Sequence, residues 1–245
     1  MREFTEENYR EHIEREHTKV SVSSYLKEIV YGGSDGIVTT FAVVAGFTGA
    51  QSGVLSQTSI IVVLVFGFAN LFADAFSMGA GNVLSILADK DVYKTELDKE
   101  LYKIKNNKEL EEMETLFILQ RKGFTRDQAQ KITELYSKNE DYWAEFMMRY
   151  ELEIPTPEHE NPILTGLATM GSFVTFGFIP LIPYVLIETE NKFAISIIFA
   201  FVALVLLGGL RWKVTTQSLI RAVGEIVLLG GAAAVIAYFV GTLFK

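Results

Sequence analysis

The chain has no cysteine, which excludes disulfides, thiolate zinc sites and thiol nucleophiles. Histidine is nearly as scarce, at three residues, His12, His17 and His159. Helical di-iron enzymes draw on two Glu-x-x-His motifs and two further Glu from four helices. This chain offers a single such motif, Glu14–His17, better read as a chance surface pattern, so an enzyme is not expected. Positive charge is in short supply too. Against 30 Asp and Glu stand 22 Lys and Arg, a formal net charge of −8, and nucleic acid drops out of the expected partners. The first thirty residues are polar, running through EEN, REH and EREH, with no apolar core of the signal-peptide type.

What is abundant is apolar surface. Hydrophobic residues make up 49% of the chain and mean hydropathy is +0.25, yet 21% of residues are charged. A soluble domain rarely averages so apolar, and a bare bundle of spanning helices rarely carries so many charges, so a membrane part and an extramembrane part are expected. A spanning helix needs roughly 20 mostly apolar residues. Five stretches meet that, at 26–50, 58–87, 163–187, 193–210 and 219–243. The first is the most polar, holding Gly32, Gly33, Ser34, Asp35, Gly36, Thr39 and Thr40; in lipid such polarity survives only against protein or a water-filled cavity. The second is too long for one span and is expected to continue into the polar region. Pro180 and Pro183 should kink or shorten the third.

The expected fold is therefore all-α and integral to a membrane, with five transmembrane helices and a helical domain inserted between the second and third. The divisions are an amphipathic N-terminal arm at 1–25, two spans at 26–87, an acidic helical insert at 88–160 and three spans at 161–245. Lys and Arg counts set the orientation. Five flank the first span on its N-terminal side, none lies in the loop after Ala50, and Lys192 stands alone in the loop after the third span. This places the N-terminus and the insert in the cytoplasm, in a multi-pass protein of a cell membrane or a vacuole-type organelle membrane.

The insert holds eighteen Asp and Glu against twelve Lys and Arg. Lys122-Gly123 has the form of a helix C-cap and Thr125 to Gln128 that of a capping box. Asp141 can cap a last helix that Pro155 and Pro157 terminate. On that helix Trp143, Met147 and Tyr150 share one face, and Met148 and Glu151 another. Glu111, Glu114 and Glu151 with Met147 and Met148 mix hard oxygen with soft thioether donors, a set suited to Fe(II) or Mn(II) rather than Ca(II). A solvated surface for each Glu, and core packing of the two Met against Trp143 and Phe146, are the competing readings. Composition alone does not separate them.

In the membrane the carboxylates are more telling. Ionisable groups at that depth are costly and mark ion or proton paths. Asp35 lies in the first span and Asp74 in the second, where Asn70, Asp74 and Met78 repeat at i, i+4 and i+8 along one face. Gly67 and Gly81 near that face permit close helix approach.

The runs SDGIVTTFAVVAGFTGA at 34–50, AFSMGAGNVLS at 75–85, IPLIPY at 179–184 and YWAEFMMRYEL at 142–152 resemble the vacuolar iron transporter family. The resemblance covers nearly the whole chain from about Tyr25. It implies a homodimer in membrane lipid that exports Fe(II), often with Mn(II), from the cytoplasm in exchange for protons, with no prosthetic group. The implied path lies between the first two spans of each subunit at the dimer axis, where Asp35 and Met78 match family positions. In the insert, Glu100, Glu111, Glu114, Met147, Met148 and Glu151 fall on the family's ligand positions, which makes it a metal-binding domain. Two positions depart from the pattern. Asn70 stands where the family usually has Glu, with Asp74 available as a substitute one turn away, and Lys103 replaces a further ligand Glu, which implies fewer or weaker bound ions. A metal sensor without transport, or a ferroxidase-like protein, is the alternative.

Overall fold

The computed structural model describes residues 5, 7–9, 11–12, 25–50, 57–157, 161–189 and 191–244. Most of the N-terminal arm, with Glu14 and His17, and also His159, lies outside them. Among the described residues the regular structure is helical: α1 (Leu26–Ala50), α2 (Gln57–Asn106), α3 (Lys108–Arg121), α4 (Arg126–Tyr136), α5 (Glu140–Tyr150), α6 (Pro162–Phe178), a 3-10 turn (Ile179–Leu181), α7 (Ile182–Leu186), α8 (Lys192–Val214) and α9 (Leu219–Thr242). Five of these segments are long and apolar enough to cross a membrane, which makes this a multi-pass membrane protein. The second span does run on, since α2 extends for 50 residues.

The helices fall into two compact units, one of residues 1–82 with 163–245, the other Val83–Pro162. In the first, α1 is central. Its Ile37, Phe41 and Ala45 pack on Ala200, Ala203, Leu204 and Leu207 of α8 and Ile226 of α9. On its other side Val44 joins Val63, Leu71 and Ala75 of α2, Phe173 of α6, Leu181 and Tyr184. Large apolar side chains such as Ile220, Leu228 and Ile236 on α9 stay exposed, as lipid-facing residues should.

The glycines of the first span have a steric cause. A Cβ on Gly32 would come within 2.5 Å of the Thr169 carbonyl oxygen, and one on Gly36 would collide with the backbone of Phe173. Only glycine lets α1 lie this close to α6, and the contact fixes the rotation of α1 about its axis. Gly67 also faces inward: a Cβ there would meet Leu181 of the same chain at 2.9 Å, while Gly81 has open space. Gly67 thus serves close helix approach within the subunit.

The prolines break the third span as expected, separating α6 from α7 by the 3-10 turn. The interrupted ladder leaves carbonyls without helical partners. Ser196 donates to the Pro180 carbonyl at 2.7 Å, and Lys192 donates to the carbonyls of Pro183 and Ile187. Such replacements let a broken helix persist in lipid.

The second unit has its own core of Ile104, Leu119, Ala129, Trp143, Ala144, Phe146 and Met147. The capping box of Thr125 and Gln128 is formed at both bonds, and Gly123 takes the left-handed conformation at φ +101° that ends α3. α5 starts earlier than Asp141 would place it: Asn139 is the N-cap and accepts from the Tyr142 N–H. Its buried side is also broader than a single face, holding both Met147 and Met148 with Trp143, while Tyr150 is exposed.

Candidate functional site

In the membrane unit Asp35 is half-buried on α1. Because Gly32, Gly33 and Gly36 are held against neighbouring helices, Asp35 is rotated off that contact. It lines a cavity of about 440 Å³ with Tyr31, Ser34, Arg211, Glu225 and Leu229. On α2, Asn70, Asp74 and Met78 are all half-buried. The Asn70 amide donates to Asp74 Oδ2 at 2.7 Å, so the two act as one polar unit. Met78 packs against the apolar cluster of Leu71, Ala75 and Phe173. Asn70 also lines a second groove with Ala42, Gly46, Phe47 and Ala237.

One charged group in this region escaped the sequence reading. Glu225 of α9 receives Arg211 at 2.8 Å and Arg221 at 3.0 Å, beside Asp35 in the same cavity. The signal was available as Arg221–Glu225 at i,i+4 inside the fifth apolar stretch.

The insert gathers three carboxylates from different helices. Glu100 of α2, Glu111 of α3 and Glu151 at the C-cap of α5 bring carboxylate oxygens within 4.8 Å of one another. Glu100 and Glu111 are each 1% exposed. Among the described residues the Oε2 atoms of all three have no hydrogen-bond partner. Buried, unpaired carboxylate oxygens are costly, and a proton or a cation shared among the three lowers that cost. Burial, then repulsion from Glu100 and Glu114, pushes the Glu111 carboxyl up to about 7. Burial and the same two neighbours raise Glu151. Glu114 is thus electrostatically part of the group, and it lines an adjacent cavity of about 340 Å³ with Met113, Phe117, Tyr150 and Glu151.

The two methionines are placed differently from the carboxylates. Met147 sits in the unit's apolar core, and its sulfur accepts from the Thr115 hydroxyl at 3.3 Å, which in turn accepts from Trp143 Nε1 at 2.7 Å. Met148 is wholly buried. The gathered donor set is oxygen, which suits a hard or borderline divalent cation.

The chain is 34% identical over 239 residues to the vacuolar iron transporter of Toxoplasma gondii, covering 94% of this chain and 77% of the relative. It is 32% identical to the vacuolar iron transporter of Plasmodium falciparum, covering 90% and 82%, and 29% identical to vacuolar iron transporter 1 of Arabidopsis thaliana, covering 87% and 83%. These relatives are named as transporters, in keeping with a chain that is not an enzyme. Residues 26–242 match the model of the VIT family, and the chain belongs to that family.

Proposed function

We propose that the protein moves Fe(II), and Mn(II) as a second substrate, out of the cytoplasm in exchange for protons. The observation that carries this is a set of half-buried carboxylates in the membrane unit, Asp35 lining a cavity and Asp74 bonded to Asn70, in a chain whose relatives are named for iron transport. Carboxylates at membrane depth are costly without a cation or a proton to neutralise them. A metal ion neutralises them; when it leaves, protons take its place. That alternation is what exchange requires.

The insert serves as the collecting site on the cytoplasmic side. Glu100, Glu111 and Glu151 bind the ion, with Glu114 adding charge nearby and Met147 and Met148 behind them. The path is completed by a second copy. Asn70 lines an open groove between α1, α2 and α9, and a polar side chain at membrane depth needs protein or water beside it. A homodimer with α1 and the membrane part of α2 at its axis supplies that cover.

Metal uptake into proteoliposomes, with and without a pH gradient, tests the reading across Fe(II), Mn(II), Co(II) and Zn(II). Gradient-dependent flux of Fe(II) and Mn(II) is expected. Metal binding without flux would identify a sensor instead. For the dimer, Gly46→Cys is the probe, since an added Cβ there meets nothing closer than 3.8 Å and the chain has no competing thiol. Crosslinking between subunits is expected, and a monomer in mild detergent with no crosslink refutes the dimer.

A further inference from the structure

We infer that Lys103 is a tethered cation that stands in for the metal at the carboxylate cluster and is displaced when the metal arrives, so that it sets the affinity of the site. The inference rests on the cluster being the metal-binding site proposed above. Lys103 Nζ lies 2.5 Å from Glu100 Oε1, one turn along α2. Glu100 is 1% exposed while Lys103 is 41% exposed, so the anion is fixed inside and the cation reaches in from water. Its charge is felt at Glu111 and Glu151 as well, which makes it a shared counter-ion for three carboxylates.

The neighbouring pair shows what is unusual. Lys99 and Glu96 have the same i,i+3 spacing on the same helix, yet both are solvated, at 59% and 29% exposure. Such surface pairs contribute little. Lys103 meets a carboxylate that water does not reach, where removing the partner leaves an uncompensated buried charge.

The ammonium offers an incomplete solution. It bonds Glu100 Oε1, whereas Oε2 of Glu100, Glu111 and Glu151 remain unpartnered. A divalent cation can accept several carboxylate oxygens at once and carries twice the charge. Once it is seated, like-charge repulsion favours Lys103 turning out to water, which its flexible stem and outer exposure allow. Binding is then an exchange of one cation for another. The exchange lowers net affinity, speeds release and keeps the empty site folded.

The test uses the full-length protein in detergent and Mn(II) alone, with free ion followed by electron paramagnetic resonance. Glu111→Gln marks which sites belong to the cluster. Lys103→Met should tighten Mn(II) binding at those sites about tenfold and lower the melting temperature of the metal-free protein. Lys103→Arg should keep the weaker affinity, and Lys99→Met should change neither quantity. In the wild type, Mn(II) should raise the rate at which an amine-reactive reagent labels Lys103, but not Lys99; this readout does not depend on any variant folding. Wild-type affinity in Lys103→Met, or labelling of Lys103 unmoved by Mn(II), overturns the inference and leaves the site intact. If Glu111→Gln removes no Mn(II) site, the reading of the cluster fails and this inference with it.

Discussion

The two units hold carboxylates out of water by different means. In the membrane unit Asp74 is half-buried and leans on a neutral amide, Asn70, at 2.7 Å. In the insert, Glu100 and Glu111 are almost wholly buried and the compensation is a full charge, Lys103 at 2.5 Å. A neutral donor steadies a carboxylate without competing for an incoming cation, whereas an ammonium competes directly. On the function proposed above, the membrane pair serves passage, with little to displace, and the insert holds ions by exchange. If that contrast is right, losing a membrane carboxylate stops flux, and losing a cluster carboxylate only slows it.

The largest effect is expected at Asp35. Asp35→Asn keeps size and hydrogen bonding but removes the charge that both metal and proton need. Flux into proteoliposomes should fall to background at every pH. Substantial residual transport would move the essential carboxylate elsewhere, with Glu225 in the same cavity the first place to look.

Next in size is the cluster. Glu111→Gln with Glu151→Gln leaves one of the three gathered carboxylates, so Mn(II) binding to the full-length protein should weaken at least tenfold, on the order of the cost of losing a charged ligand. Transport should slow several-fold yet persist, because the membrane path is untouched. Unchanged binding by calorimetry would sink the cluster, and abolished flux would erase the contrast between the two units.

Asp74 comes third, and here the structure sharpens the test. Asp74→Asn can retain a side-chain hydrogen bond to Asn70, so packing survives while the charge is lost. A reduced rate with a shifted pH profile is expected if Asp74 takes the role that the resemblance gives to a Glu at the Asn70 position. Asn70→Glu should tighten metal affinity. A wild-type rate and pH profile in Asp74→Asn would leave Asp74 as a structural partner only.

The outline of these units was readable because its causes are local. Apolar length sets five spans, Pro180 and Pro183 break the third, and Thr125 with Gln128 caps α4 through a three-residue spacing. The carboxylate cluster was only half readable. Glu111 and Glu114 look alike in sequence at i,i+3, and which one is buried depends on how α3 rotates against α5, a tertiary fact. Glu100 came from the resemblance, since nothing near it in sequence announces burial. Lys103 was visible as a departure, but its ion pair needs the buried Glu100 to have meaning. Glu225 shows in sequence only its i,i+4 spacing from Arg221, a common surface pattern. Its partner Arg211 lies on another helix, beyond the reach of any local pattern.

The smallest effect expected is a pH dependence that separates the empty insert from the loaded one. The Glu111 carboxyl is raised from its ordinary value to about 7 by burial and its acidic neighbours. The folded insert thus keeps a proton that the unfolded chain releases near 4.5. Between those values the native state binds more protons, so stability conferred by the protonated group is full below about 4.5 and is lost as pH rises through 7. Glu151, raised for the same reasons, adds in the same direction. Metal reverses the sign, because a carboxylate must lose its proton to bind it. Hydrogen exchange of core amides near Trp143 can follow both. In the metal-free protein protection should fall between pH 5 and 7.5, by on the order of 1–3 kcal/mol. With saturating Mn(II) it should hold or rise over that range, while Mn(II) affinity weakens as pH drops below 7. Glu111→Gln, which cannot ionise, should flatten the metal-free profile. A metal-free insert that instead gains protection as pH rises would mean that Lys103 already neutralises the cluster, and that the empty site carries less strain than its unpartnered oxygens imply.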